Sequence, residues 1–466
     1  MAQPARNPLI IGAGPAGLTA ALKLVEKGVT PRIFEASGHV GGLARTPSRG
    51  GWRVDGGGHR FFTKSEAVMD LWRSLLPADQ WISVQRSSAM LVDGQCVRYP
   101  LIGRDLLTQL GARRGLRGLG SLLWSRFLGG MRFDDRADSF REWGEREFGP
   151  YWYRMFFEGY IRKTWLADPN DITSDWANQR IRPINWRLRK EPDPADQDAF
   201  RYPRLGPGQL WESAAAQLIA SGVDLRLSTR VVEAGFDGST WTLGLENGAT
   251  VTGDAVFSTM PLPLLVNALR PRAPRHIRQL AATLRHRSLI TVSVALGHQL
   301  DIPFNWLYTP SKEVRVGRIQ NYGRWSRHLS PGDWKGTYLG LEYYVEPGGE
   351  LWTASDDSVK SVVEEDLRTL GLGGPNVERV IVDRAQFAYP IYDHLRDRNV
   401  GLVRRYLTSH YPALHPMGRN GMHHYDNQDH AMLSAMQSVA RYFGASVNPW
   451  QVNTDSGYHE SGLLKQ

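Results

Sequence analysis

The residues best placed to do chemistry lie close to the N-terminus. Gly12-Ala13-Gly14-Pro15-Ala16-Gly17 spells G-x-G-x-x-G, and Glu35-Ala36 follows. Gly12 allows a tight turn, Gly14 lets the backbone approach a pyrophosphate, and Gly17 lets a helix pack against a strand. A helix starting there offers free N–H groups and a positive dipole end to phosphates, with Pro15 and Ala16 in its first turn. Glu35 stands where an acid accepts from ribose hydroxyls, which argues against a 2′-phosphate and so against NADP at this site. Gly41-Gly42-Leu43-Ala44-Arg45 follows. It reads either as a surface hairpin or as a second glycine turn over the same pyrophosphate, with Arg45 adding charge-assisted hydrogen bonds. The chain has one cysteine, Cys96. That excludes a disulfide framework, a four-thiolate iron–sulfur cluster and a Cys-x-x-Cys centre, so any redox power comes from a bound cofactor. Cys96 has no His or second Cys beside it and is assigned no role.

The elements that must position these residues are legible nearby. Pro8 to Ile11 is a short apolar run, as expected of a buried strand. Leu18, Ala21, Leu22 and Val25 recur at helical spacing, Gly28 suits the helix stop, and Pro31 to Phe34 reads as a second strand. Residues 105–200 show helical spacing, as in Phe140, Trp143, Phe148 and Trp152. Residues 222–260 alternate like strands, with a hairpin turn at Glu246-Asn247-Gly248 and a buried strand over Asp254 to Thr259. Residues 285–395 combine strand-like runs, Leu289 to Leu296 and Gly336 to Val345, with a helix over 356–370. Gly371-Leu372-Gly373-Gly374-Pro375 follows a helix rather than a strand, so it fails as a second nucleotide fingerprint. No repeat or low-complexity segment occurs.

At 466 residues the chain is long enough for two or three domains and a large core. Its 41% hydrophobic content excludes disorder as the overall class. The net charge of +9 admits a nucleic-acid, membrane or anionic small-molecule partner. The arginines are scattered. Three locally basic stretches, Arg104 to Arg117, Arg180 to Lys190 and Arg270 to Arg287, are interrupted by Leu, Trp or Ala at helical spacing. They read as solvated helix faces, or as a surface guiding an anionic substrate, rather than a nucleic-acid site. Glu191 to Asp198 reads as an exposed loop. No signal peptide and no run of ~20 apolar residues is present, so a cytoplasmic protein without a membrane span is expected. His423, His424 and His430 beside Asp426 and Asp429 form no separate ligand set, and no metal is expected.

The G-x-G-x-x-G, Glu35 and the Gly-Gly-Leu-x-x-Thr stretch ending at Thr46 together resemble the FAD-binding start of the flavin amine oxidase, protoporphyrinogen oxidase and UDP-galactopyranose mutase superfamily. There the double glycine marks FAD rather than NAD. Further stretches resemble the mutases, above all the eukaryotic type, in the same order along most of the chain. Gly56-Gly57-Gly58-His59 resembles the loop beneath the isoalloxazine. Arg201 to Gly208 resembles the glycine-rich return into the FAD domain, with Val231 in the cofactor set. Trp306-Leu307-Tyr308 and Arg318 resemble the uracil- and phosphate-binding stretch. Tyr389-Pro390 and Tyr425 resemble two tyrosines near the phosphates. Gly418-Arg419 and Asn427-Gln428-Asp429-His430 resemble the C-terminal FAD and substrate signature.

The resemblance implies an α/β fold. A Rossmann-like FAD-binding domain is expected over 1–104, 201–284 and 396–466, with a helical insertion over 105–200 and a mixed β-sheet substrate domain over 285–395. It implies non-covalent FAD, with NAD(P)H as an available external reductant lacking a domain of its own, and an oligomer is compatible. It implies a small-molecule substrate such as a UDP-sugar, whose pyranose and furanose forms interconvert through reduced flavin N5 without net redox change. His59 would tune the flavin, Trp306 would stack near the base, and Arg318, Tyr308, Tyr389 and Tyr425 would bind phosphate. The alternative is an FAD-dependent oxidoreductase of an amine, alcohol or sugar-derived substrate. One departure stands out: Glu158 occupies the place of the family's diphosphate-binding arginine. Arg154 or Arg162 would then replace it, or the substrate is not a nucleotide diphosphate.

Overall fold

The computed structural model describes residues 6–129, 139–174, 181, 184, 199–373 and 376–453. The Glu191 to Asp198 loop, most of the Arg180 to Lys190 stretch, and Gly374-Pro375 lie outside the described residues.

A five-stranded parallel sheet carries the glycine fingerprint. Its order is Leu414–Pro416, Val256–Ser258, Leu9–Ile11, Arg32–Phe34, Asp224–Arg226. Three distant chain regions therefore supply one sheet. All three residues of Leu9–Ile11 are buried, as an apolar run in a covered parallel sheet must be. The helix Pro15–Glu26 follows with Leu18, Ala21 and Leu22 buried. Gly28 ends it with φ +74°. The strand-to-helix turn depends on two glycines. Gly12 has φ +101°, a region that side chains avoid. A Cβ on Gly17 would overlap the Gly12 carbonyl oxygen.

A four-stranded sheet, Thr250–Gly253, Trp241–Leu245, Val231–Phe236 and Leu269–Arg270, packs beside it. Its hairpin turns at Glu246 to Gly248, as the sequence predicts. A seven-stranded sheet runs Val377–Pro390, His286–Leu296, Thr337–Val345, Arg318–Asn321, Trp306–Tyr308, Ser88–Val92, Gln95–Tyr99. It is mixed, because Trp306–Tyr308 pairs parallel to Ser88–Val92 while its other pairs are antiparallel. Ser88 to Tyr99 thus joins this sheet rather than the dinucleotide sheet in whose segment the sequence placed it. Ser88–Val92 is buried at every position: strands pair along both its edges, while Met90 and Val92 pack into the insertion's core and Ala89 into a second cluster with Leu307.

The helices of the insertion are Gly103–Gln109, Ala112–Gly129, Phe140–Trp152, a π-helical turn Tyr153–Glu158, and Gly159–Trp165, and residues 166–174 follow as turns and bends. Phe140, Trp143, Phe148, Trp152 and Phe156 form its core. Lys163 ties it to the seven-stranded sheet by donating to the carbonyls of Ser311, Val314 and Val316 at 2.8, 3.1 and 2.9 Å. Among the described residues no helix is long and apolar enough to cross a membrane.

Three interior histidines set a pH dependence. His286 and His423 meet edge to face at 4.5 Å, and His415 stacks on Phe257 at 4.7 Å. Burial holds His286 and His415 down to about 4 and His423 well below its ordinary value. A histidine depressed in the folded state contributes stability that is complete above its unfolded value, about 6.5, and is lost as pH falls toward the folded value. The unfolding free energy from urea titration should therefore fall steadily from pH 7 to pH 5, by on the order of 1–2 kcal/mol from His286 alone. His286→Phe should flatten that slope; an unchanged slope would remove His286 from the account.

Candidate active site

Two adjoining spaces occupy the junction of the dinucleotide sheet, the insertion and the seven-stranded sheet. The first is a cleft at the fingerprint. Gly14, Pro15, Ala16, Glu35, Gly42, Leu43, Ala44 and Arg45 line it together with Gly418, Arg419, Asn427 and Gln428. The Cα of Gly42 lies 3.6 Å from where a Cβ on Gly14 would stand. The two glycine turns therefore face each other, and the surface-hairpin alternative is set aside. Glu35 accepts from the Ala13 and Ser37 backbone N–H groups, each at 2.8 Å, which orients its carboxylate beside the turn.

Some expected cofactor residues act differently. Gly12 and Gly17 make the turn without lining the cleft. Ala36 does not line it, and Val231 packs into the core with Leu245 and Trp241. Arg45 lines the cleft, but its guanidinium donates to Asp383 at 2.8 and 3.0 Å and to the Gly42 carbonyl at 3.2 Å. It braces the glycine turn instead of offering an uncompensated charge to a pyrophosphate, because the seven-stranded sheet brings Asp383 to it.

The second space is a cavity lined by Gly57, Gly58, His59, Trp306, Tyr308, Arg318, Tyr389, Arg419 and Tyr425, the residues that the sequence grouped. Phe157, Tyr160 and Ile161 from the insertion, with Arg60 and Arg86, complete much of the wall. His59, Arg419, Asn427 and Gln428 border both spaces. A cofactor in the cleft and a substrate in the cavity would meet across that shared wall.

The donor set fits a flavin dinucleotide. Gln428 accepts from Trp211 Nε1 at 2.9 Å, while its amide nitrogen is buried with no partner on the shared wall. Such an orphaned donor needs an acceptor. Asn420 Oδ1, also buried and without a partner, borders the cleft.

Asp55 organises the glycine loop and is absent from the sequence reading. It is fully buried, and it accepts from the Gly57 and His59 backbone N–H groups, from Tyr202 Oη at 2.9 Å, and contacts His59 Nδ1 at 2.7 Å. Burial and the adjacent carboxylate push the Tyr202 phenol up, so it stays a donor. Asp55 thereby fixes the His59 ring and leaves Nε2 for the shared wall. Its signal was its place directly before Gly56. Asp55→Asn should lose one charge-assisted bond, about 1.5–3 kcal/mol in denaturant titration. It should also change the His59 tautomer in 15N spectra; an unaltered tautomer would show that Asp55 does not set it.

The tyrosines meet in two sets. Tyr389 stacks on Tyr425 at 5.4 Å, and Tyr308 meets Tyr160 and Tyr99 edge-on at 5.4 and 5.5 Å. Burial first, then Tyr425 and Glu342, push the Tyr389 phenol up to about 12. It is a neutral hydrogen-bond donor near pH 7, not a base. Trp306 lines the cavity and also packs on Trp325 at 4.4 Å, so it serves the core as well.

Two expected substrate residues have partners of their own. Arg318 lines the cavity and is charge-compensated there. It pairs bidentately with Glu342 at 2.7 and 2.8 Å and donates to the Gly57 carbonyl at 3.2 Å. Glu342 is fully buried and also accepts from Gln320 and Tyr344. Burial opposes the Arg318 charge, and Glu342, Tyr344 and Tyr389 together more than offset it. Glu342 sits across the antiparallel register from Arg318, and nothing local in the sequence marks it. Second, Arg162 does not reach the cavity. It pairs with Asp168 at 2.6 Å and Glu158 at 3.6 Å. Neither Glu158 nor Arg154 lines the cavity, because that helical face presents Phe157, Tyr160 and Ile161. Glu158 therefore stands outside the cavity wall.

Among the described residues no group of three His, Cys, Asp or Glu could hold a metal ion. The Rossmann-type sheet, the paired glycine turns and the adjoining cavity define a flavoenzyme. More narrowly, residues 15–386 match the flavin containing amine oxidoreductase family, and the chain belongs to it. The chain is 29% identical over 170 residues to a probable UDP-galactopyranose mutase of Klebsiella pneumoniae, covering 36% of this chain and 43% of that protein. It is 27% identical over 169 residues to the chloroplastic/mitochondrial protoporphyrinogen oxidase 2 of Arabidopsis thaliana, covering 35% and 33%. The matches thus span less than half the length of either relative. The fold is similar to that of a reduced UDP-galactopyranose mutase, with TM-score 0.82 and 22% identity over 97% of this chain and all of that one.

Proposed function

We propose that the chain is a flavin-dependent mutase that interconverts ring forms of a sugar bearing a diphosphate, with FAD in the fingerprint cleft. One observation carries this reading. Arg60, Arg86, Arg318 and Arg419 line the cavity beside the cleft, and no carboxylate is among its described lining residues. Four arginines gathered on one cavity wall suit a phosphate-bearing substrate. Bound and reduced, the flavin would supply the nucleophile. The chain's own residues do the rest. Arg419 is held by the carbonyls of Asp426 and Ala388, each at 2.8 Å, and presents its charge to both spaces. Tyr389 donates to departing phosphate oxygens, with Tyr308 and Tyr425 beside it. His59, steadied by Asp55, holds a hydrogen bond at the shared wall. The similarity to a reduced mutase supports the same reading. NAD(P)H would serve only to load the flavin.

The test is anaerobic reduction of the flavin-loaded protein, then titration with UDP-galactose and UDP. The expected result is a flavin spectral change and ring-form conversion, with no NAD(P)H consumed per turnover. Reduced protein that neither binds nor converts any UDP-sugar would sink it. Glu342 favours a second reading, since it neutralises the arginine expected to meet a diphosphate. An oxidoreductase would yield hydrogen peroxide on turnover with an amine or alcohol.

A further inference from the structure

The helix Ala112–Gly129 is built inside out. Its inner face is Gly115, Gly118 and Leu122, all buried, while Leu116, Leu123, Trp124 and Phe127 are 65, 59, 62 and 60% exposed. The inner face has no room for larger residues. A Cβ on Gly118 would overlap the Trp152 indole, and one on Gly149 of the neighbouring helix would come within 2.7 Å of the Leu122 nitrogen. Ser125 donates to the Glu145 carbonyl at 2.8 Å, and Ser121 accepts from Tyr151 N–H at 3.0 Å, so the orientation is fixed. The large apolar residues therefore point outward by construction.

At 3.6 residues per turn, Leu116, Leu123 and Phe127 form one stripe with Trp124 at its edge. Trp124 and Phe127 stack at 6.3 Å. The helix carries Arg113, Arg114, Arg117 and Arg126 and no Asp or Glu. Arg114 pairs with Asp93 at 2.9 Å. Arg113 and Arg117 fall on the Trp124 side of the stripe and Arg126 on the other. An apolar stripe with Trp and Phe, bordered by arginines, has the composition of a helix that lies in a membrane interface. A second copy of the same face would bring arginines against arginines, so charge disfavours self-association.

We propose that this helix docks the protein on the surface of an anionic lipid bilayer, with Leu116, Leu123, Trp124 and Phe127 in the interface and Arg113, Arg117 and Arg126 at the head groups. It lies on the membrane and does not span it. The next helix leads directly into the π-helical turn that contributes Phe157 to the cavity. The docking face thus sits one helical layer from the proposed substrate space.

The test is vesicle flotation of the flavin-loaded full chain. Phosphatidylcholine vesicles with about 30% phosphatidylglycerol should carry it upward, pure phosphatidylcholine far less, and salt at about 0.5 M should weaken the binding. L116S/L123S/W124S/F127S should lower the bound fraction at least about tenfold with flavin absorbance retained. R113Q/R117Q/R126Q should abolish the preference for anionic vesicles. Should the serine variant not fold, brominated lipid should still quench tryptophan emission of the unaltered chain. No flotation on anionic vesicles at low salt, no quenching, or equal flotation of a folded serine variant would overturn the proposal. So would a dimer in solution that the serine variant dissolves while vesicles leave the protein unbound.

Discussion

Arg318→Ala is expected to lower folding stability by about 3–5 kcal/mol, because it leaves a buried carboxylate without its counter-ion. Glu342 is fully buried and takes both arginine bonds. Gln320 and Tyr344 remain as its donors but bring no charge. In the folded, flavin-loaded fraction, UDP affinity should also fall, by about 1.5–3 kcal/mol if a charged hydrogen bond to phosphate is lost. Glu342→Gln separates the two effects. It should destabilise the fold as well, since Arg318 then sits buried and uncompensated, yet UDP affinity should hold or rise because the competing carboxylate is gone. Denaturant titration and calorimetric binding of UDP read the two quantities independently. If Arg318→Ala unfolds and binds UDP as the unaltered chain does, Arg318 belongs to neither the pair energetics nor the phosphate site.

Gly17→Ala should yield protein purified with at least about tenfold less flavin. The added Cβ would overlap the carbonyl oxygen of Gly12, a backbone atom that no rotamer change can move aside. The helix Pro15–Glu26 must retreat from its strand, and its N–H groups move off the position that a pyrophosphate requires. Overpacking of this kind costs about 1–3 kcal/mol or more in stability. Gly332→Ala is the contrast: nothing lies within 4 Å of its added Cβ, so flavin content should not change. The ratio of flavin to protein absorbance decides the matter. A full complement of flavin in Gly17→Ala would mean that the helix does not need close approach to its strand.

What could be read early was local. The strand, turn, helix and strand around Gly12 to Glu35 lie within one short segment, and each residue type has one mechanical reason to be there. The cavity tyrosines and Trp306 came through resemblance, and they do converge. The partners of the charged groups did not come through. Arg45 meets Asp383, Arg318 meets Glu342, and Arg287, only 2% exposed, lies among Trp165, Tyr389 and Tyr344 with its Nε and Nη1 unpaired. Those pairings depend on sheet register between segments far apart in the chain. The basic stretch at Arg104 to Arg117 shows the same limit. Its helical spacing was visible, but which face turned outward depended on glycines packing against Trp152.

The sequence by itself determined that the N-terminal strand, glycine turn and helix have the form of a dinucleotide fingerprint, and that a chain with one cysteine must borrow any redox chemistry from a cofactor. Period and turn chemistry are properties of neighbours in the chain, so they survive without coordinates. The tertiary structure alone decided that Asp383 and Glu342 compensate Arg45 and Arg318, that Glu158 stands outside the cavity wall, and that Asp55 holds His59. Charge compensation is a through-space property, set by which strands pair and which faces pack.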